Sequence, residues 1–247
     1  MARPVFGVTV AGWYNSPQPS PQGGTWFKPP VPRPSTPVRD AIHTNRLRTF
    51  IAVDLPEPLR IRLGQEIGRL SPLLEGGLVR WVNPKGIHLT LKFLGDVDPG
   101  GIEGLAEALR SVASGRAAFR ANAVGVGCFP STRRPRVLWV GVQEPSGALS
   151  ALQGSLEAAL TPLGYPREDR EYNPHLTLGR VRREARPDEA AKVGAVVSKE
   201  TQTLLGEIPV GEIILFRSEL KPSGAVYTPL AAAVLEAHLA GREFVAG

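Results

Sequence analysis

The tetrapeptide His-Leu-Thr-Leu stands twice in this chain, as His88-Leu89-Thr90-Leu91 and as His175-Leu176-Thr177-Leu178. The chain has four histidines in 247 residues, so half of them share one local setting. In an extended strand, successive side chains point to opposite faces. Each motif therefore sets its His and Thr on one face and its two Leu on the other, toward a core. Histidine titrates near neutrality, so one imidazole can accept a proton while another donates one. Two opposed imidazoles suit an in-line displacement at phosphorus, one activating water and the other protonating the leaving oxygen. The threonine hydroxyls suit the non-bridging phosphate oxygens. Neither motif carries an Asp or Glu that would complete a metal-ligand set, so no metal and no other cofactor is expected.

The residues after each motif are also chemically suited to phosphate. Lys92 follows the first copy, and Arg180, Arg182 and Arg183 follow the second. Arg180 is expected to reach a phosphate, and Lys92 to face the RNA. Phe93, five residues after His88, has two readings: a platform for a base, as in single-stranded RNA recognition, or plain core packing. The loop Thr132-Arg133-Arg134-Pro135-Arg136 is a basic cluster, and Arg134 and Arg136 are expected to hold RNA phosphates. Trp139 is read as a core residue. His43 and His238, outside the motifs, are read as incidental.

These residues need elements to hold them. Arg48 to Val53 reads as a strand and Pro56 to Leu70 as a helix with Pro near its start. Val79 to Val82 and Ile87 to Leu94 read as strands, the second carrying the first motif. Gly100 to Ala113 reads as a helix. Phe119 to Phe129 and Arg136 to Val142 read as strands joined by the basic loop, and Ala148 to Leu163 as a helix. His175 to Val181 is a strand and Pro187 to Val197 a helix. Glu207 to Leu220 and Val226 to Leu230 read as a late hairpin around Pro222-Ser223-Gly224, with a short helix from about Ala231. Strands and helices alternate and the motif strand is used twice. The expectation is two related α+β lobes, each giving one motif strand to a shared cleft.

Composition bounds the setting. With 42% hydrophobic residues, the chain can bury a substantial core. One cysteine, Cys128, permits no intrachain disulfide and no Cys-rich zinc motif, which fits a reducing, cytoplasmic location. The net charge of +6 and the excess of Arg are compatible with a nucleic-acid or nucleotide partner. No apolar run is long enough for a membrane span. Residues 1–45 are rich in proline and lack periodic apolar pattern. They read either as a disordered or loosely attached extension, or as sequence upstream of a translation start nearer residue 40. Residues 46–235 read as the folded domain and 236–247 as a tail.

Taken together, the chain resembles the 2H phosphoesterase superfamily, and within it the RNA 2′,3′-cyclic phosphodiesterases, also called 2′-5′ RNA ligases. The resemblance covers about residues 46–230. Its carriers are Arg48-Thr49-Phe50-Ile51-Ala52, Trp81-Val82 with Pro84, the run from His88 to Gly95, Phe129-Pro130 with Pro135 to Trp139, and Pro174 to Arg180. It implies a bilobal, pseudo-symmetric α+β fold, with antiparallel sheets flanked by helices around a central cleft. It implies metal-independent hydrolysis of a 2′,3′-cyclic phosphate at an RNA end to a 2′-phosphomonoester, with 2′-5′ ligation as the reverse type of transfer. By motif position His88, Thr90, His175 and Thr177 match the catalytic set, Arg180 a phosphate contact and Phe93 a base-stacking position. His175 is assigned as the base and His88 as the acid. One departure is Tyr172, where the pattern has Phe. Two alternatives stay open: a phosphodiesterase for small nucleotides or 2′-5′ oligoadenylates, and a non-catalytic RNA-end-binding module. A monomer is the default, since a closed bilobal cleft needs no partner.

Overall fold

The computed structural model describes residues 46–74, 76–222 and 224–237. The expectations for residues 1–45, and those for His43 and His238, lie outside the described residues. Four strands build one sheet in the order β3-β1-β8-β9: Leu89–Val97, Leu47–Val53, Glu212–Lys221 and Gly224–Val234. Five build a second, β2-β6-β5-β4-β7: Val79–Trp81, His175–Val181, Val137–Gln143, Phe119–Phe129 and Leu204–Val210. All pairings within both sheets are antiparallel. Four helices follow the expected positions closely: α1 Glu57–Leu70, α2 Ile102–Ala113, α3 Ala148–Leu160 and α4 Pro187–Val197.

Each helix buries one apolar stripe. In α1 it is Leu59, Leu63 and Leu70, behind a start marked by Pro56 and Glu57 and an end marked by Arg69. In α3 it is Leu149, Leu152, Leu156 and Leu160. Burying such a Leu contributes about 1.5–3 kcal/mol each. The helices are exchanged between the sheets. The helix that follows β1, α1, packs on β7 of the five-stranded sheet, where α4 covers β4. The helix that follows β5, α3, packs on β3 of the four-stranded sheet and on α2, which covers β8 and β9. The two halves of the chain are thus interlocked, and the strands β3 and β6 approach one another.

Two readings of the late sequence are corrected. The single strand expected over Glu207 to Leu220 is two strands that break at Gly211. β7 pairs with β4 and β8 pairs with β1, so the chain changes sheets there. The helix expected from Ala231 is instead the end of β9, because Ala231, Ala232, Ala233 and Val234 continue the ladder with β8. Glu236 goes on to exchange backbone hydrogen bonds with Arg116 and Ala118, which ties residue 236 to the fold.

Both motif strands carry a β-bulge at the same place. Ile51 pairs with Lys92 but Ala52 with Thr90, which leaves Leu91 as the extra residue. Leu138 pairs with Gly179 but Trp139 with Thr177, which leaves Leu178 extra. The bulge falls on the fourth residue of each motif. It resets the alternation of the side chains that directly follow.

Candidate active site

Before the bulges, the period-two reading holds. Leu89, Leu91, Leu176 and Leu178 are buried on the helix-covered faces, while His88, Thr90, His175 and Thr177 are half-buried on the other. The two histidines are held in the same way. The Nδ1–H of His88 donates to the carbonyl of Gly86 at 2.9 Å, and that of His175 to the carbonyl of Asn173 at 2.8 Å. A carbonyl can only accept, so the neutral ring keeps its proton on Nδ1 and leaves the Nε2 lone pair free. Aromatic rings pack against both. Phe50 stacks on His88 at 4.5 Å between centroids and Tyr227 meets it edge-on at 5.0 Å. Phe129 meets His175 edge-on at 5.0 Å.

These surroundings lower both imidazole pKa values. For His88, burial is the chief cause, with Arg60 acting in the same direction. The Gly86 carbonyl and Asp54 oppose it. For His175, burial again leads and Arg180 adds to it, against the Asn173 carbonyl. Both shifts favour the neutral ring. A cavity of about 170 Å³ opens beside His88, with Asp54, Arg60, Lys85 and Tyr227 in its wall. It leaves room on that side for more than the phosphate alone.

Beyond the bulges the outcome changes. Lys92, expected to face RNA, is 4% exposed. Its Nζ donates to Glu157 Oε2 at 2.7 Å and to the Pro166 carbonyl at 2.8 Å. The extra residue Leu91 turns Lys92 to the inner face, so the expectation of an RNA contact from it is withdrawn. The same shift brings Phe93 and Arg180 to the outer face. Phe93 is 60% exposed beside Phe50, at 6.1 Å between centroids, so the plain core reading of Phe93 fails. Arg180 is exposed and lies close enough to His175 to act on its charge.

Trp139 is also corrected. It is in register with Thr177 and shares its face rather than lying in the core. Its ring lies over Gly127, where any side chain would overlap it, and tilts against Phe129 at 5.0 Å. Arg134 and Arg136 are exposed, as expected, at the end of the β4–β5 hairpin. The loop that carries Arg134 rests on α4, where the Thr132 carbonyl lies against Gly194. Among the described residues, no three His, Cys, Asp or Glu side chains come together as a metal-ligand group.

Three further residues had no site role in the sequence reading. Tyr227 faces His88, and burial raises its phenol pKa against the pull of Arg180 and Arg48, which places both arginines near it. Phe50 joins His88 to Phe93. Tyr172 donates its hydroxyl to the Thr90 carbonyl at 3.1 Å, linking the approach to the second motif with the strand of the first. Tyr172 gave a signal as the Tyr standing where Phe was expected, and Phe50 as part of the run Arg48 to Ala52, while Tyr227 gave none. Removing this bond with Tyr172→Phe is expected to cost about 1 kcal/mol in stability. Denaturant unfolding of the variant against the parent checks this, and an unchanged midpoint would leave the bond without structural weight.

Comparison with known proteins agrees with this fold. The family model described as LigT-like phosphoesterase matches the chain twice, over residues 53–139 and 140–227. Each half of the interlocked fold thus matches it separately. The RNA 2′,3′-cyclic phosphodiesterase of Methanothermobacter thermautotrophicus is 37% identical over 187 residues, covering 75% of this chain and 97% of that protein. The protein of the same name from Archaeoglobus fulgidus is 35% identical over 184 residues, covering 74% and 98%. Among solved structures, TT0787 of Thermus thermophilus superposes with a TM-score of 0.64 at 31% identity, covering 78% of this chain and 100% of that one. E. coli LigT in complex with 3′-AMP gives a TM-score of 0.61 at 25% identity, covering 77% and 99%. No helix among the described residues is long and apolar enough to cross a membrane.

Proposed function

The chain belongs to the LigT-like phosphoesterase family, and from that footing we propose that it hydrolyses 2′,3′-cyclic phosphate ends of RNA to 2′-phosphomonoesters. The observation that carries this reading is the identical seating of two imidazoles, each pinned through Nδ1 to a backbone carbonyl two residues earlier, with Nε2 left for chemistry. His175 Nε2 takes a proton from water as the water oxygen bonds to phosphorus. The bond from phosphorus to the 3′ oxygen breaks, and His88, held as imidazolium by the bound anionic phosphate, delivers its Nε2 proton to that oxygen while Nδ1–H stays on the Gly86 carbonyl. The products are a 2′-phosphate and a free 3′-hydroxyl. Thr90 and Thr177 donate to the non-bridging oxygens, and Arg180 offsets the charge that accumulates there. Two imidazoles supply both proton transfers, so no metal enters the scheme.

Phe93, exposed on the outer face, supports stacking of the terminal base. Arg134 and Arg136 supply cations for phosphates further along the RNA. An RNA 5′-hydroxyl in place of water would make the same displacement a 2′-5′ ligation.

The test is incubation of EDTA-treated protein with an oligoribonucleotide that ends in a 2′,3′-cyclic phosphate, followed by identification of the product. A 2′-phosphate end is expected. A 3′-phosphate end would contradict the direction of bond cleavage. Bound but unreacted RNA would make the protein an end-binding module, and turnover confined to mononucleotides would move the substrate to small nucleotides.

A further inference from the structure

Arg80 lies directly opposite Arg180 in the register of β2 and β6. Directly paired residues on antiparallel strands project from the same face, about 5 Å apart. Arg180 projects to the site face, because the bulge at Leu178 turns Gly179 inward and Arg180 outward, and its charge acts on both His175 and Tyr227. Arg80 therefore projects there too, and its neighbours in the ladder agree. Val79 and Trp81, on either side of it, lie against Gly179 on the inner face.

Two like charges directly opposite one another are unfavourable unless something answers them. Two other arginines on these strands meet carboxylates, Arg120 with Glu207 at 2.6 Å and Arg217 with Glu219 at 2.9 Å. Across β6 from Arg80, the other neighbour of Arg180 is Val137, which has no charge. Among the described residues, neither Arg80 nor Arg180 has a carboxylate within salt-bridge distance. The pair is exposed, cationic and unanswered, on the same face as His175 and Thr177.

We infer that Arg80 seats a second phosphate, the phosphodiester that joins the terminal nucleotide of the RNA to its 5′ neighbour, with Arg180 between it and the cyclic phosphate. This rests on the reading of the site as an RNA cyclic phosphodiesterase. The cyclic phosphate occupies the space between the imidazoles, and Thr177 and Arg180 follow one another along β6. Arg80 then stands one strand further out, on the open edge of the five-stranded sheet. Its planar guanidinium presents paired donors to that phosphate. The substrate class follows: RNA ends of two or more nucleotides are preferred to cyclic mononucleotides.

The test compares a nucleoside 2′,3′-cyclic phosphate with a dinucleotide carrying the same cyclic end. The ratio of kcat/KM between them is measured for the parent, Arg80→Ala and Arg80→Lys. The parent is expected to favour the dinucleotide. Arg80→Ala is expected to cut that preference about tenfold, and to reduce the salt slope of dinucleotide binding by about 0.7, the share of one single-strand phosphate contact. Arg80→Lys keeps most of the salt slope. A parent without preference, or losses in Arg80→Ala that are equal on the two substrates, would overturn the inference. The product forms, a nucleoside 2′-phosphate and a dinucleotide with a 2′-phosphate, are compared by calorimetric binding to the same three proteins. If no turnover is seen, the failure lies with the proposed activity, and the binding preference alone decides whether Arg80 holds a phosphate.

Discussion

Replacing either His88 or His175 by Ala is expected to slow hydrolysis of an RNA 2′,3′-cyclic phosphate end by about 10²–10⁴-fold, the usual worth of a positioned acid or base. Each ring is fixed by a carbonyl bond and an aromatic neighbour, so the substitution removes a proton carrier and leaves Thr90, Thr177 and Arg180 in place. The two rings act in one displacement. The double variant should therefore be little slower than the worse single variant, well short of the product of the two losses. Single-turnover rates with saturating enzyme measure this without interference from product release. A loss of less than tenfold in either variant would remove that ring from the chemistry.

Replacing Lys92 by Ala is expected to destabilise the fold by about 3–5 kcal/mol, the cost of breaking a buried pair from one side. Glu157 would keep only the amide of Gln153 as a partner in a buried setting. The Pro166 carbonyl would also lose its donor. That matters for the site, because Lys92 lies between Thr90 and Phe93 and anchors their strand to α3 and to the segment leading to the second motif. Replacing Lys92 and Glu157 together by Met should recover much of the loss, since an apolar pair of similar volume leaves no buried charge. Denaturant unfolding of the three variants tests this. A loss under about 1 kcal/mol for Lys92→Ala, far short of a broken buried pair, would contradict the account, above all if the salt dependence of RNA binding fell with it.

The contrast between Lys92 and Arg180 shows how far the sequence could be read. Strict alternation predicts the faces of His, Thr and Leu within each motif, and the structure agrees. One residue later it fails, because a bulge is a property of the pairing and leaves no mark on the letters. Lys92 turns inward, and Phe93 and Arg180 turn outward, by the same shift in the two halves. The helices were legible because their apolar stripes and proline starts are local. The break at Gly211 was not, since the apolar pattern runs across it while the strand partners change. Trp139 reads as core in the apolar run Val137-Leu138-Trp139-Val140, yet its register with Thr177 puts it on the site face. Arg80 and Tyr227 needed the tertiary pairing to be seen at all, one across a ladder and the other from the last hairpin.

The claim that two imidazoles divide the proton transfers is tested most directly by pH–rate profiles of the parent and the two single-histidine variants. Burial holds both free-enzyme pKa values below the ordinary 6.5. The kcat/KM profile of the parent should therefore be a bell centred on the acid side of that value. Bound anionic phosphate favours imidazolium and raises both values, so the kcat bell should lie at higher pH. His175→Ala is expected to lose the rising limb, where the base must shed its proton, and His88→Ala the falling limb, where the acid must keep its own. Loss of the opposite limbs would exchange the two roles. A bell that keeps both limbs in either variant would contradict the two-imidazole account.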